Sequence, residues 1–417
     1  MTPGAPISDP LPHDPYAALR VADFRRFIAC LVAQTVATMI QGVTVGWQVY
    51  EVTHDPLALG LVGLAEALPF IAAALPAGHL ADQLDRRRVC LAALEVLAAC
   101  SFALFGMTAG GLIRRETVWA VYAVIFASGL ARSFLQPTRT ALSADLVPRE
   151  LYLNAITWRS SSWQFAAVAG PALGGLLVGF AGMATAYAVA GCLIGLAWGA
   201  MLRVESRLSA ANPLGRGAAG FLEGVRFVRR QPVLLGAFTL DLFSVLFAGA
   251  EALLPIFATD ILHVGAQGLG ILRAAPAAGS VLMSLYLSHR PLPGRAGHVL
   301  LGAVALYGVC ISGFGLSTHF GLSVLLLGLS GMFDNVSVVM RGTLLQTLTP
   351  RAVLGRVAGV NAIFIGSSNE VGAFESGVAA RLIGTVPAVV LGGMVPLLVV
   401  ATIAWGIPEL RTLEKIG

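Results

Sequence analysis

Long, nearly uninterrupted apolar runs are the feature that most constrains this chain. A helix needs about 20 apolar residues to cross a bilayer. Inside lipid each backbone N–H and C=O has to be satisfied within the segment, which leaves helices as the way to bury such runs. Twelve runs of the required length are present, at 27–49, 57–80, 89–110, 117–137, 154–180, 184–203, 233–257, 267–288, 297–317, 319–341, 357–381 and 385–406. Twelve spans take roughly 240 residues, and what remains of the 417 is short loops, two tails and one longer mid-chain segment. No separate soluble catalytic domain fits. Charged residues make up 12% of the chain, about half the usage of an ordinary soluble domain, in keeping with an all-α membrane protein.

The net charge of +5 raises the question of a nucleic-acid partner, and the placement of the arginines answers it. They are divided among short segments between apolar runs, so no continuous basic face forms. Arg20, Arg25, Arg26, Arg86, Arg87, Arg88, Arg149, Arg203, Arg226, Arg229, Arg230, Arg290, Arg295, Arg351, Arg356 and Arg411 fall at one end of the spans, whereas Arg114, Arg115 and Arg381 fall at the other. Positive residues stay on the cytoplasmic side of a membrane, so the pattern predicts a multi-pass protein of a bacterial inner membrane with both termini cytoplasmic. Residues 1–23 contain no apolar h-region, which predicts that the first span, not a cleaved signal peptide, directs insertion.

Cofactor chemistry finds little support. Cys30, Cys90, Cys100, Cys192 and Cys310 all lie in apolar runs without C-x-x-C spacing, and the seven histidines sit in tails, loops or helix ends. Neither a disulfide framework nor a metal site is expected. No glycine-rich loop follows the P-loop pattern, and no nucleophile–base–orienter set is visible, so no cofactor is expected and an embedded enzyme is the weakest reading.

The chain also repeats itself. At an offset of 202, Arg139, Pro148, Arg149 and Gly170 correspond to Arg341, Pro350, Arg351 and Gly372, running from spans four and five onto spans ten and eleven. This predicts two parallel six-helix halves: a tail (1–23), a first bundle (24–203), a linker (204–232), a second bundle (233–406) and a tail (407–417). Within the linker, Ser206, Ser209, Asn212, Pro213 and Gly215 read as loop. GFLEGVRFVRR then places Phe221, Leu222, Val225 and Val228 on one face and Arg226, Arg229 and Arg230 on another, as in an amphipathic helix lying on an anionic leaflet. An unstructured basic linker is the alternative.

Between spans two and three lies GHLADQLDRRRV, residues 78–89. Gly78 permits close packing, and Asp82 stands at a helix end beside Arg86 and Arg87. A carboxylate among guanidiniums can hold helix ends in one conformation. The segment resembles the signature loop of the major facilitator superfamily through Gly78, Leu80, Ala81, Asp82, Arg86 and Arg87, with Gln83 and Asp85 replacing the usual Arg and Gly. AVAGPALGG resembles the helix-five element of the superfamily's proton-coupled antiporters through Gly170, Pro171, Gly174 and Gly175. There a Gly-Pro step bends a helix whose small face packs closely. LLQTLTPRAVLGRVAGV (344–360) and the terminal ELR are similar to the group of bacterial enterobactin exporters and multidrug-efflux antiporters. The helix-four arginine element of the antiporters would fall near Arg132, but the spacing to Gln136 is one residue too long and Pro137 replaces Gly.

The resemblance implies two pseudo-symmetric six-helix bundles, rocking about a central cavity that should appear as polar residues in apolar helices. Gln34, Gln41 and Gln48 recur at seven-residue spacing on one face of span one, with Thr38 nearby. They are candidates to line the cavity, or to form a hydrogen-bonded seam between helices. Charges at mid-span are costly, about 2.5–3.5 kcal/mol each on the insertion scale, and therefore informative. Glu370 lies near the middle of span eleven, with Ser367, Ser368 and Asn369 before it, and Glu66 is central in span two, while Asp241 sits nearer the arginine-rich end. These three are the candidates for proton exchange, Glu370 first, because desolvation favours the neutral carboxyl; structural ion pairs are the alternative. Arg132 and Asp334, related by the same offset, are candidates for a cytoplasmic gate together with Arg139 and Arg341. Either the first two meet directly, or each pairs within its own bundle.

The function expected is secondary active export of a small organic molecule, of the siderophore or hydrophobic-drug class, by proton antiport and alternating access. The partners expected are that substrate, protons and membrane lipids, with no nucleic acid, and the protein is expected to work as a monomer. A lysophospholipid flippase of the same fold, or a non-transporting membrane sensor or assembly protein, is the alternative.

Overall fold

The computed structural model describes residues 14–205, 218–290, 295–350 and 353–413, with side chains placed except at 74–83, 218–221, 362–367 and 370. The described residues form helices and no strands. The first bundle contains α1 (Ala22–Thr53), α2 (Pro56–Gln83), α3 (Arg86–Ala109) and α4 (Val118–Asp145). It is completed by α5 and α6, which make up the stretch Tyr152–Leu202 on either side of Gly182. The second bundle contains α7 (Pro232–Ile261), α8 (Gly265–His289), α9 (Ala296–Leu316), α10 (Phe320–Leu348), α11 (Leu354–Ile383) and α12 (Thr385–Gly406). Ten stretches of the described residues are long and apolar enough to cross a membrane. Division at Gly182 makes eleven, and α11 is the twelfth.

Several helices outrun their apolar bands. Helix α1 continues through Asp23, Arg25 and Arg26 at one end and Glu51 at the other, and α4 continues to Asp145. Hydropathy marks the lipid-buried stretch, whereas the backbone ladder continues into the polar zone until a cap ends it. His54 supplies that cap in the left-handed conformation at φ 51°. Helix α7, expected to be continuous, is broken. Regular helix ends at Phe247, a 3₁₀ turn spans Ala250–Leu253, and a π turn spans Phe257–Ile261. Pro255 lacks an N–H to bond back to Glu251 and stands in the first turn of the short helical segment that follows the break.

The two halves repeat in detail. Gly182 (φ 85°, ψ 164°) and Gly384 (φ 93°, ψ 154°) stand 202 residues apart and make the reversals between α5 and α6 and between α11 and α12. That conformation is essentially confined to glycine. Gly170 packs on Val36 and Met39 of α1, and Gly372 on Val245 and Leu246 of α7, the first helix of each half.

Each bundle has its own core, Phe24, Phe27, Leu94, Ile194 and Met201 in the first and Leu234, Leu240, Leu300 and Leu344 in the second. A third cluster draws on both, joining Val49, Tyr50 and Leu59 to Leu253, Phe257 and Leu269. The linker helix (Ala218–Arg230) packs against α7 and α11. Val228 is buried among Phe238, Leu345 and Val357, with Phe227 beside it, and Glu223 meets Arg356 at 2.6 Å. Leu222, assigned to the apolar face, is exposed on the protein surface.

Candidate functional site

The surface between the bundles is closed at one end. Helix α2 packs on α11 and α5 packs on α8, each pair through glycine. A methyl group on Gly60 would stand 3.0 Å from the Phe374 carbonyl oxygen. One on Gly175 would stand 2.6 Å from the Ala266 carbonyl oxygen and from Gly270 Cα. Small residues let backbones approach in lipid, where no hydrophobic force draws helices together. Polar contacts lie over this seam. The Tyr50 hydroxyl donates to the Asp260 carboxylate, and Arg381 Nη1 reaches Asp55 Oδ2 at 2.7 Å. Deeper in, Arg273 of α8 donates to the Gly42 carbonyl of α1 at 3.0 Å.

Towards the arginine-rich end the bundles part. Helices α4 and α10 make no substantial contact with the opposite bundle among the described residues. A cleft therefore opens at the end that holds Arg25, Arg86, Arg203 and Arg356, and it narrows to the glycine seams.

The charged residues singled out from the sequence that have a described bond make it within their own bundle. Arg132 of α4 pairs with Glu66 of α2, and Arg341 of α10 pairs with Asp241 of α7. Arg139 Nη1 donates to Gln34 Oε1 at 2.5 Å. Asp334 stands near Tyr307 of α9 and Glu251 of the α7 break. Arg132 and Asp334 are not a pair here, since the halves of α4 and α10 that carry them are apart. Glu370 lies outside the residues whose side chains are described, as do Gly78 and Asp82.

The glutamine stripe divides. Gln41 accepts from Ser101 of α3 at 2.6 Å, and Gln48 accepts from Tyr187 of α6 at 2.9 Å and donates to Thr108 at 3.1 Å. These two face the interior of the first bundle and stitch α1 to its neighbours, not to the cleft. Gln34 donates to Thr38 Oγ1 at 2.9 Å, which turns its carbonyl oxygen to Arg139. Of the packing motif, Gly170 and Gly174 seat α5 on α1, while Gly175 faces the other bundle. Pro171 is buried within α5.

In the loop before α3, Arg86 pairs with Asp145 at the end of α4, and Arg87 donates to the Leu202 carbonyl at 2.6 Å. Asp85 caps α3 by accepting from the backbone N–H of Arg87 and Arg88. The acid in place of the superfamily's glycine thus has a structural use. Sequence reasoning missed Asp145, Tyr50, Asp260 and the Asp55–Arg381 pair. None has a motif, and the last two partners are 326 residues apart.

With this geometry in view, the family model described as "Transmembrane secretion effector" matches residues 13–416. The enterobactin exporter EntS of Citrobacter koseri is 28% identical over 350 residues, covering 83% of this chain and 81% of that protein. EntS of Shigella flexneri is 29% identical over 351 residues, covering 83% and 80%. Among solved structures, the nucleoside transporter NupG superposes with a TM-score of 0.72 at 12% identity, covering 92% of this chain and 100% of that one. A POT family transporter in complex with 5-aminolevulinic acid gives 0.71 at 12% identity, covering 93% and 96%.

Proposed function

Because the chain belongs to the Transmembrane secretion effector family, a group of multi-pass transporters with the major facilitator fold, we propose that it exports a small organic molecule of the siderophore or hydrophobic-drug class by proton antiport. The arginine-rich end faces the cytoplasm of a bacterial inner membrane, both termini lie on that side, and one chain suffices. The observation that carries this reading is the one-ended closure. Two bundles sealed at Gly60–Gly377 and Gly175–Gly270, and separate at the other end, form one half of an alternating-access cycle, ready to load from the cytoplasm. The name of the EntS relatives, enterobactin exporter, supports the outward direction and the siderophore class proposed for this chain.

Glu370 carries the proton. Glu66 and Asp241 each have a guanidinium partner, so proton exchange at either requires the pair to part first. When the cytoplasmic end closes, α4 and α10 approach. Arg132 then exchanges Glu66 for Asp334, and Asp82 with its arginine cluster holds the helix ends of one conformation.

Proteoliposomes with an imposed pH gradient test this reading. Gradient-driven movement of a compound, accompanied by proton flux and abolished by a protonophore, is expected over a panel of siderophores and amphipathic drugs. Movement of none of them would overturn it. The gate is tested by Arg132→Asp with Asp334→Arg, which should regain transport lost in each single variant, whereas losses that simply add would exclude direct coupling.

A further inference from the structure

The two bundles balance their buried charges differently. In the second, Arg341 has Asp241. The residue 202 positions before Asp241 is Met39, and among the described residues the equivalent arginine of the first bundle, Arg139, meets no carboxylate and bonds to an amide oxygen. A second guanidinium lies close by. Arg159 of α5 reaches Ser143 Oγ at 3.5 Å and likewise makes no ion pair among the described residues. Arg139 and Arg159 are near enough to repel one another, and Arg132 adds to the repulsion on Arg139.

Arg132, Arg139 and Ser143 follow one another at seven and four residues, which puts them on one face of α4. That face is on the half of α4 that leaves the opposite bundle, and Arg139 and Arg159 are both partly exposed there. Each guanidinium has five N–H donors in a planar fork. One amide and one hydroxyl leave most of those donors unused. The second bundle answers its equivalent arginine with Asp241, so an occupant with a negative end is drawn to α4 and α5.

We propose that Arg139 and Arg159, with Gln34, Thr38 and Ser143 around them, form the binding site for the anionic group of an amphipathic organic substrate, a carboxylate or an acidic phenol. The proposal rests on the export reading for its word "substrate" and names the chemistry that export selects. Forked guanidinium–carboxylate bonding supplies both attraction and orientation, and Arg132, held by Glu66, adds positive potential without being needed as a ligand.

The test uses the purified full-length protein in phosphatidylcholine nanodiscs, titrated with dansylglycine and with its neutral amide, dansylglycinamide. The carboxylate is expected to bind about tenfold more tightly than the amide. Arg139→Gln and Arg159→Gln should each weaken carboxylate binding by about tenfold, the loss of a charge-assisted hydrogen bond, and leave amide binding unchanged. Arg139→Lys, which keeps the charge, should retain part of the preference, so that failure of one variant to fold does not decide the matter. Equal affinity for the two probes, or wild-type carboxylate binding in Arg159→Gln and Arg139→Lys alike with no change in Arg139→Gln, would overturn the proposal. Displacement of dansylglycine by phosphatidylglycerol added to the nanodiscs, at a few molecules per disc, would assign the arginines to a lipid phosphate and equally overturn it. The two readings separate cleanly. Gradient-driven export by the unaltered protein together with equal affinity for dansylglycine and dansylglycinamide would keep export and remove the anion site. Arginine-dependent carboxylate binding with no gradient-driven movement of any compound would keep the site and remove export.

Discussion

Asp55 and Arg381 meet at 2.7 Å across the two bundles, at the end where α2 and α11 come together. The pair is conspicuous but open to solvent, with 54% of the arginine side chain and 27% of the aspartate exposed. Exposed pairs contribute about 0–1 kcal/mol. The glycine seam beneath it is a stronger determinant of closure, because a side chain at Gly60 or Gly175 would run into backbone atoms that cannot turn aside. Asp55→Asn is therefore expected to shift the balance of open and closed states only a few-fold, whereas Gly60→Val or Gly175→Val should populate the state opened at that end. Spin labels at His54→Cys and Leu382→Cys, in a Cys192→Ser background that removes the one exposed thiol among the five cysteines, report the distance. A longer population is expected in the glycine variants, and an unchanged distribution would refute the primacy of the seam.

The ion pair of Asp241 and Arg341 is almost fully buried, at 6% and 3% exposure. Removal of one partner should strand the other and destabilise the second bundle by about 3–5 kcal/mol. Asp241→Leu and Arg341→Met singly are expected to lower the melting temperature sharply. The double variant should recover most of it, because a well-packed apolar pair can replace a buried salt bridge. A double variant as unstable as either single one would show that the pair itself is required.

Gly182 and Gly384 occupy a backbone region that other residues enter only under strain. Alanine at either position is expected to cost about 1–3 kcal/mol. Nothing lies within 4 Å of the added methyl at Gly182, so the loss there isolates backbone strain from crowding. Thermal unfolding in detergent measures both, and a neutral Gly182→Ala would contradict the reversal geometry.

Glu370→Gln is expected to abolish transport driven by a pH gradient while leaving substrate binding and downhill exchange intact. Proton flux and substrate flux measured together in proteoliposomes decide this. Normal coupled efflux in the variant would move the proton to another carboxylate.

Much of the architecture was legible along the chain. Run length announced the spans, the 202-residue offset announced the repeat, and Gly170, Pro171, Gly174 and Gly175 marked a packing face. Helix ends were less legible, since a backbone ladder outlasts its apolar stretch, and the break in α7 was hidden in a run long and apolar enough overall to read as one span. The glutamines show the limit most plainly. A seven-residue spacing places Gln34, Gln41 and Gln48 on one face of α1 and does not say what that face meets. Two proved to bind neighbouring helices, and one an arginine.

Composition and periodicity by themselves determined that this chain crosses a membrane, how often it does so and that its two halves are alike, because lipid imposes those constraints on each segment separately. Tertiary structure alone decided the partners. Arg132 found Glu66, Arg341 found Asp241, and Arg139 found only Gln34, because a charge in a low-dielectric bundle is governed by whatever group lies within a few ångströms. That distance is set by how helices far apart in sequence pack, and so is the end at which the two bundles meet.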